Sequence, residues 1–393
     1  MKKKILTTAI LASIAGVAHA QSSVTLYGVI DAGVNYISNV KNATGGSSHQ
    51  FSYGDGVAQG SRFGLRGTED LGGGLKAIFV LENGFNSGNG TAGQGGAMFG
   101  RQAFVGLSQS NIGSLTFGRQ YSFSTDILGS QYSTGGNTVS GNWAYHFNDV
   151  DQLTSSRINN AVKFQSVNYS GFTFGGLYGF SNSTSFAGAP ATGTTANPVA
   201  GSSRAYSFGA NYGYGPFSLG AAYTNITYPG QTTPSTTTSI ANLPATQTTV
   251  ALKGLRSFGV GGRYIVGPAT LWALWTNTLL SPIATSSTLY NAYEVGGKYA
   301  FTPALAAGLG YTYSRSSGSQ SAHWNQVNAS LDYALSKRTD VYGLVSYQDA
   351  SGTLANGQKV QAQIGDSSSS IYQPSGTGSQ DQVAVRVGIR HKF

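Results

Sequence analysis

Four arginines of this 393-residue chain share one arrangement, each flanked by apolar residues of the opposite parity. Arg62 and Arg66 lie in SRFGLRGTEDL against Phe63 and Leu65; Arg386 and Arg390 lie in DQVAVRVGIRHKF against Val385, Val387 and Ile389. Cations alternating with apolar residues make a charged face, and such a face sorts ions by its field without making or breaking bonds. Bond-making chemistry has less to stand on. The histidines are His19, His49, His146, His323 and His391, and there is no cysteine. No two histidines have the two-residue spacing of a metal site on one strand. Without cysteine, disulfides and thiolate metal sites are excluded. Gly259-Val-Gly-Gly262 lacks the strand–turn–helix context of a phosphate cradle. A serine hydrolase needs a Ser–His pair held by an acid, for which His146 near Asp149 is the one weak candidate. The residues point away from catalysis, and no cofactor or metal is implied.

The elements that must hold such a face are strands. Val24, Leu26, Gly28, Ile30, Ala32 and Val34 are spaced by two, as are Leu75, Ala77, Phe79 and Leu81 against Lys76 and Glu82. The same period recurs at Phe172, Phe174, Tyr178 and Phe180, at Tyr206, Phe208, Ala210 and Tyr212, and at Val327, Ala329, Leu331 and Tyr333. A period of two is the signature of extended chain with one apolar face. Only 9% of residues are charged, while Gly reaches 56, Tyr 23 and Phe 19. Disordered chains are poor in aromatics, and a thin spread of Lys and Arg is not a nucleic-acid footprint.

Lys2, Lys3 and Lys4, the apolar run 5–17 and Ala18-His19-Ala20 form a positive, apolar and small-x-small series. Residues 1–20 therefore read as an export signal, leaving 21–393 as the mature domain with Gln21 first. A transmembrane helix is the competing reading, and the run is short of the ~20 residues needed. Loss of the three lysines lowers the formal charge from +9 to +6. No later stretch is apolar enough to cross as a helix, which leaves a closed barrel as the way to span a membrane.

Short connections alternate with long ones. The short ones are 70–74, 109–113, 170–171, 213–216, 266–268, 302–303 and 336–339, most of them supplied with Gly, Pro, Asn or Ser. The long ones are polar and include 39–59, 182–203, 227–249 and 350–380. One rim of turns and one of loops, with strands of about 9–11 residues, predicts an all-β fold. It is a transmembrane antiparallel β-barrel of about 16 strands. Turning the arginines toward lipid would cost about 2–4 kcal/mol each, so they face inward. A barrel of that size leaves an aqueous interior. The strand count and the inward charges together imply a conduit for water-soluble solutes.

At this point SSVTLYGVIDAGVNY, SRFGLRGTEDLGGGLKAIFVLENGF and FGRQAFVGLSQSNIGSLTFGRQY resemble the general diffusion porins of Gram-negative outer membranes, particularly the beta-proteobacterial branch. YALSKRTDVYGLVSYQ and VGIRHKF share the likeness. The resemblance implies a sixteen-stranded barrel with short periplasmic turns and long extracellular loops, assembled as a homotrimer through its first strands. It implies a third loop folded into the lumen, where wall arginines face loop acids. Carried over by motif, those arginines are Arg62, Arg101 and Arg157, with Arg66 and Lys163 extending the basic wall by shared parity. Arg119 has the parity of Leu115 and Phe117 and points outward.

The inward loop spans about 122–156 and departs from the family: a Pro-Glu-Phe-Gly-Gly stretch is missing, and only Asp126, Asp149 and Asp151 are left to face the arginines. Trp143, Tyr145 and Phe147 alternate in it, either as a greasy slide or as a wedge against the wall. Tyr27, Tyr36, Tyr169, Tyr178 and Tyr299 fit interfacial girdles. Terminal Phe393 resembles the signal read by the barrel assembly machinery. The other implied partners are outer-membrane lipid and lipopolysaccharide, with small hydrophilic solutes as cargo. The expected function is passive diffusion of such solutes and ions with mild anion preference. A substrate-selective channel and a surface adhesin or antigen are the alternatives.

Overall fold

The computed structural model describes residues 23–41, 47–154, 156–180, 204–227, 252–282, 286–318, 321–354, 357–366, 369, 371 and 377–393. The expected signal segment 1–20 and most of the loop stretches 182–203 and 227–249 lie outside the described residues. The strands are β1 (Ser23–Lys41), β2 (Ser47–Asp55), β3 (Arg62–Gly72), β4 (Leu75–Gly84), β5 (Gln102–Gln109), β6 (Gly113–Tyr121), β7 (Arg157–Ser166) and β8 (Phe172–Gly179). They continue as β9 (Arg204–Tyr214), β10 (Phe217–Thr227), β11 (Leu252–Val266), β12 (Ala269–Pro282) and β13 (Thr288–Ala300). The last are β14 (Leu305–Gly318), β15 (Ser321–Ala334), β16 (Thr339–Thr353) and β17 (Asp381–Lys392).

From β3 onward each strand pairs antiparallel with the next, and β17 returns to β1, with Val29 opposite Lys392. The other edge of β1 pairs with two segments, Ala32 opposite Asp55 of β2 and Ser23 opposite Thr68 of β3. β2 and β3 are therefore halves of one wall strand, interrupted at 56–61, and the closed barrel has 16 strands. All the expected short turns lie on one rim. The opposite rim is less uniform than expected, because the connections 42–46, 283–287 and 319–320 are brief. The polar stretch 39–59 is largely strand: β1 and β2 climb on residues such as Ser47-Ser-His-Gln50, which carry no apolar alternation to reveal them.

Alternation sorts the wall as expected. Val387 and Ile389 are 69% and 48% exposed, whereas Arg386 and Arg390 between them are 1% and 5% exposed. The outward set includes Val24, Leu26, Phe63, Leu65, Leu271, Leu309 and Leu331. Tyr36, Tyr169, Tyr178 and Tyr299 lie on that face too, but Tyr27 does not: its hydroxyl donates to Glu82 at 2.9 Å, on the inner side. Phe393 closes the seam, its carbonyl accepting from the Gly28 N–H at 2.9 Å and its N–H donating back at 3.1 Å.

The inner face of β8–β11 is unusually bare, and the segment 122–156 occupies it. A Cβ added to Gly209 would lie 2.6 Å from Ile127 Cδ1, and one on Gly259 would lie 2.9 Å from Leu128 Cδ1. Gly220 and Gly261 likewise meet the Tyr132 ring. Ile127, Leu128 and Tyr132 belong to one wide helical stretch, Ser124–Tyr132, and all three are buried. The glycines thus replace side chains that would otherwise hold the segment off the wall. Gly261→Val is expected to unseat Tyr132 and cost about 1–3 kcal/mol by overpacking, read as a lowered midpoint of urea unfolding. An unchanged midpoint would show that the seat is not tight.

Candidate pore constriction

Arg62 opens β3, directly after the interruption at 56–61, and Arg101 immediately precedes β5. They converge on one carboxylate. Arg101 Nε lies 2.7 Å from Glu82 Oε1, and Arg62 Nε lies 3.9 Å from Glu82 Oε2. Glu82 stands on β4 opposite Gly64, whose missing side chain leaves room for the Tyr27 phenol to reach that acid. Arg62 also donates to the Gly60 carbonyl at 3.0 Å, so the broken strand fixes its guanidinium. Arg66 is exposed, with its guanidinium 5.3 Å from the centre of the Tyr27 ring.

A second cation–acid pair forms between β7 and the long segment. Lys163 Nζ is bound to the Asp126 carboxylate, donates to the Tyr121 carbonyl at 2.9 Å, and lies 4.7 Å from the Phe123 ring centre. Lys163, expected to extend the basic wall, and Asp126, expected to face the arginines, here meet each other. In the two clusters, Arg62, Arg66, Arg101 and Lys163 stand against only Glu82 and Asp126.

The other residues expected at the site meet different groups. A register shift between Gly118 and Gln120 inserts an extra residue in β7, so Arg157 falls opposite Tyr121. Its guanidinium lies 5.1 Å over the Tyr121 ring. Asp149 accepts from the N–H groups of Leu153 at 2.8 Å and Thr154 at 3.1 Å. Its φ of +51° and complete burial mark a structural turn.

Asp151 faces an imidazole. Its carboxylate binds His146 Nδ1 and accepts from Thr276 Oγ1 of β12 at 2.6 Å, while His146 Nε2 lies 2.9 Å from Glu294 Oε2 of β13. Glu294 also accepts from the Thr134 N–H. One imidazole thus joins the loop to the wall through two buried carboxylates. Burial alone would lower the His146 pKa, but Asp151 and Glu294 outweigh it and raise it to about 10. With both ring nitrogens held by carboxylates, this histidine has no free lone pair with which to activate a serine. The neighbouring Tyr145 phenol is pushed well up, by burial and then by Asp149.

Trp143 and Phe147 act as wedges. Trp143 is fully buried, its carbonyl accepting from Gln326 Nε2 at 2.6 Å, and the Phe147 ring stacks 4.0 Å from Trp324 of β15. Asn142 donates its N–H to the Val57 carbonyl and its Nδ2 to the Gly56 carbonyl, both at 2.7 Å, using the interruption in the second wall strand. The last long connection joins in, with Val360, Ala362 and Ile364 buried against the same clusters. Elsewhere Arg386 is sealed by Asp31 at 3.0 Å, Asn35 at 2.8 Å and Tyr342 at 2.8 Å, and Arg390 by Asp332 and Asp340. These two arginines stabilise the wall and leave little charge for solutes. Arg119 donates to the Gly100 carbonyl at 2.8 Å and to Asn159, away from Glu82. Glu82 and Glu294 were not singled out by sequence, since their partners lie in distant segments, and His146 stood out only as a weak hydrolase candidate beside Asp149, not as a partner of Asp151 and Glu294.

Comparison with known proteins agrees with this geometry. The profile of the Gram-negative porin family matches residues 7–353. An outer membrane porin of Bordetella pertussis is 33% identical over 434 aligned positions, covering 100% of both chains. Outer membrane porin protein 32 of Delftia acidovorans is 31% identical over 403 positions, again covering 100% of both. Among solved structures, an anion-selective porin from Comamonas acidovorans superposes with a TM-score of 0.71 at 26% identity, covering 95% of this chain and 100% of that one. With sixteen strands, an inward-facing basic cluster and full-length relatives of this kind, the chain belongs to the Gram-negative porin family of outer-membrane β-barrels.

Proposed function

We propose that the barrel is a water-filled channel for passive diffusion of small hydrophilic solutes and ions, with a mild preference for anions. The carrying observation is that Arg62 and Arg101 share a single carboxylate, Glu82, with Arg66 close by. That leaves an excess of positive charge where the wall faces the segment 122–156, whose burial and wall contacts support a constriction formed by the third loop. The anion-selective porin to which the chain is similar favours the same sign. No energy source or cofactor enters this reading; size exclusion and the local field set what passes.

The relevant test is single-channel conductance of the refolded protein in a planar bilayer. It is expected to rise in proportion to bulk salt conductivity, as in a water-filled passage. Saturation at low concentration of one solute would instead indicate a selective binding site, and no conductance at all would leave a barrel with a surface role.

Trimeric assembly is part of the same reading, supported by the outward apolar residues Val24, Leu26, Val105, Leu107, Leu115 and Phe117 on the first strands. Outward-lying Phe393 at the closing seam suits a terminal assembly signal. Residues 1–20 would direct export. Phe393→Ser is expected to lower the yield of barrel in the outer membrane severalfold without changing the conductance of refolded protein; equal yield would remove the signal role.

A further inference from the structure

Tyr27, Gly64 and Glu82 stand in one row across three neighbouring strands of the inner wall, β1, β3 and β4. Neighbouring strands lie about 4.8 Å apart, so the phenol has to cross the middle strand to meet the acid. Gly64 permits the crossing: a Cβ there would lie 2.7 Å from Tyr27 Cζ and 2.8 Å from its hydroxyl oxygen. The next inward row toward the long loops holds Arg62, opposite Val29 and Gly84. The next row toward the short turns holds Arg66, opposite Thr25 and Val80. Tyr27 thus lies between two cations and reaches over a glycine to their counter-charge.

The phenol divides these charges. Its hydroxyl donates to Glu82 Oε2 at 2.9 Å, while Arg101 Nε holds Oε1 at 2.7 Å. Arg62 Nε stays 3.9 Å from Oε2, beyond hydrogen-bond reach, and its Nη1 donates to the Gly60 carbonyl instead. The Arg66 guanidinium lies 5.3 Å from the centre of the Tyr27 ring. Exposure follows the same division: the Glu82 side chain is 7% exposed and that of Arg62 25%. Water in the lumen meets the arginine more than it meets the acid.

We propose that Tyr27 is a positioning residue that sets the channel's ion selectivity, by holding the Glu82 carboxylate against the wall and off Arg62. A hydroxyl satisfies one carboxylate oxygen without adding charge, so Arg62 keeps its field for ions in the lumen. Without that hydroxyl, Oε2 is left to Arg62, whose planar guanidinium suits a two-point pair with a carboxylate. The net charge of the cluster is the same in both arrangements. What differs is the charge nearest the water. The inference rests on the reading of this cluster as the ion-selecting constriction of a channel.

The test is the reversal potential across a gradient of dilute potassium chloride in a planar bilayer. It compares the native barrel, Tyr27→Phe, Glu82→Gln and the double variant, each refolded at full length. Tyr27→Phe keeps the ring and its contact with Arg66. It is expected to lower the anion-to-cation permeability ratio about twofold, since a close ion pair attracts anions less than separated charges do. In the Glu82→Gln background the same substitution is expected to change nothing, because no carboxylate is left to release. A ring that served only as packing would shift both backgrounds alike. A ratio unchanged or raised by Tyr27→Phe, or an equal shift in both backgrounds, would overturn the proposal. A native channel without anion preference would count against the function proposed above, and the difference between the two backgrounds would still decide this one.

Discussion

Substituting both Arg62 and Arg101 by alanine is expected to abolish the anion preference of the channel. The two guanidiniums share Glu82, so their loss removes two cations and leaves one carboxylate facing Arg66 across Tyr27. In water-like surroundings a unit charge about 5 Å away changes an ion's free energy by about 0.8 kcal/mol. That is about fourfold for an anion and the inverse for a cation, so each net charge lost lowers the anion-to-cation permeability ratio by up to about sixteenfold before screening. Salt screens the effect, so it is largest at low ionic strength. Glu82→Gln is expected to move the ratio the other way, because the same two arginines then lack their counter-charge. Reversal potentials of the two variants that fail to move in opposite directions would separate this cluster from ion selection.

The second large effect concerns His146. His146→Ala removes the cation between Asp151 and Glu294 and leaves two buried carboxylates facing each other. Breaking a buried, hydrogen-bonded ionic cluster from one side costs about 3–5 kcal/mol. The loss is expected as a lower urea midpoint and as more frequent spontaneous closures, since the cluster ties the loop to β12 and β13. The pH dependence follows from the direction of the shift. The folded pKa is raised from 6.5 to about 10, so the stabilisation is fully present below the unfolded value and is lost as pH rises through about 10. The charged groups acting on the imidazole are Asp151 and Glu294, and the adjacent Tyr145 phenol also feels Asp149 and, from the last loop, Asp366. Tyrosines and lysines also titrate in that range, so the informative quantity is the difference between native protein and variant. Closures of the native channel should increase through pH 10 while those of His146→Ala stay uniformly frequent. A variant as quiet as the native channel at neutral pH would contradict the clamp.

The architecture was largely legible because a membrane forces period-two patterning on every strand that meets lipid, as at Val383 to Ile389. The pattern failed where that force is absent. β1 and β2 continue beyond the bilayer on polar residues and read as a loop. Parity also could not show that one residue is inserted in β7 near Asn160, whose φ is +48°, which changes the residue opposite Arg157 without any mark in residue type. Asp126 was legible as a partner of the basic wall. Asp149 and Asp151 were not, because their partners are set by the path of the loop. Glu82 was visible only as the charged member of an alternating strand. Gly259 and Gly261 were seen as strand glycines, but what fills the space they leave, Leu128 and Tyr132, comes from over a hundred residues away.

The most direct measurement of the central claim is the zero-current potential of the native channel across a salt gradient in a planar bilayer. With Arg62, Arg101, Arg66 and Lys163 outnumbering Glu82 and Asp126, the sign expected is that of chloride moving more readily than potassium. A potential of the opposite sign would mean that the positive cluster does not face the path of the ions.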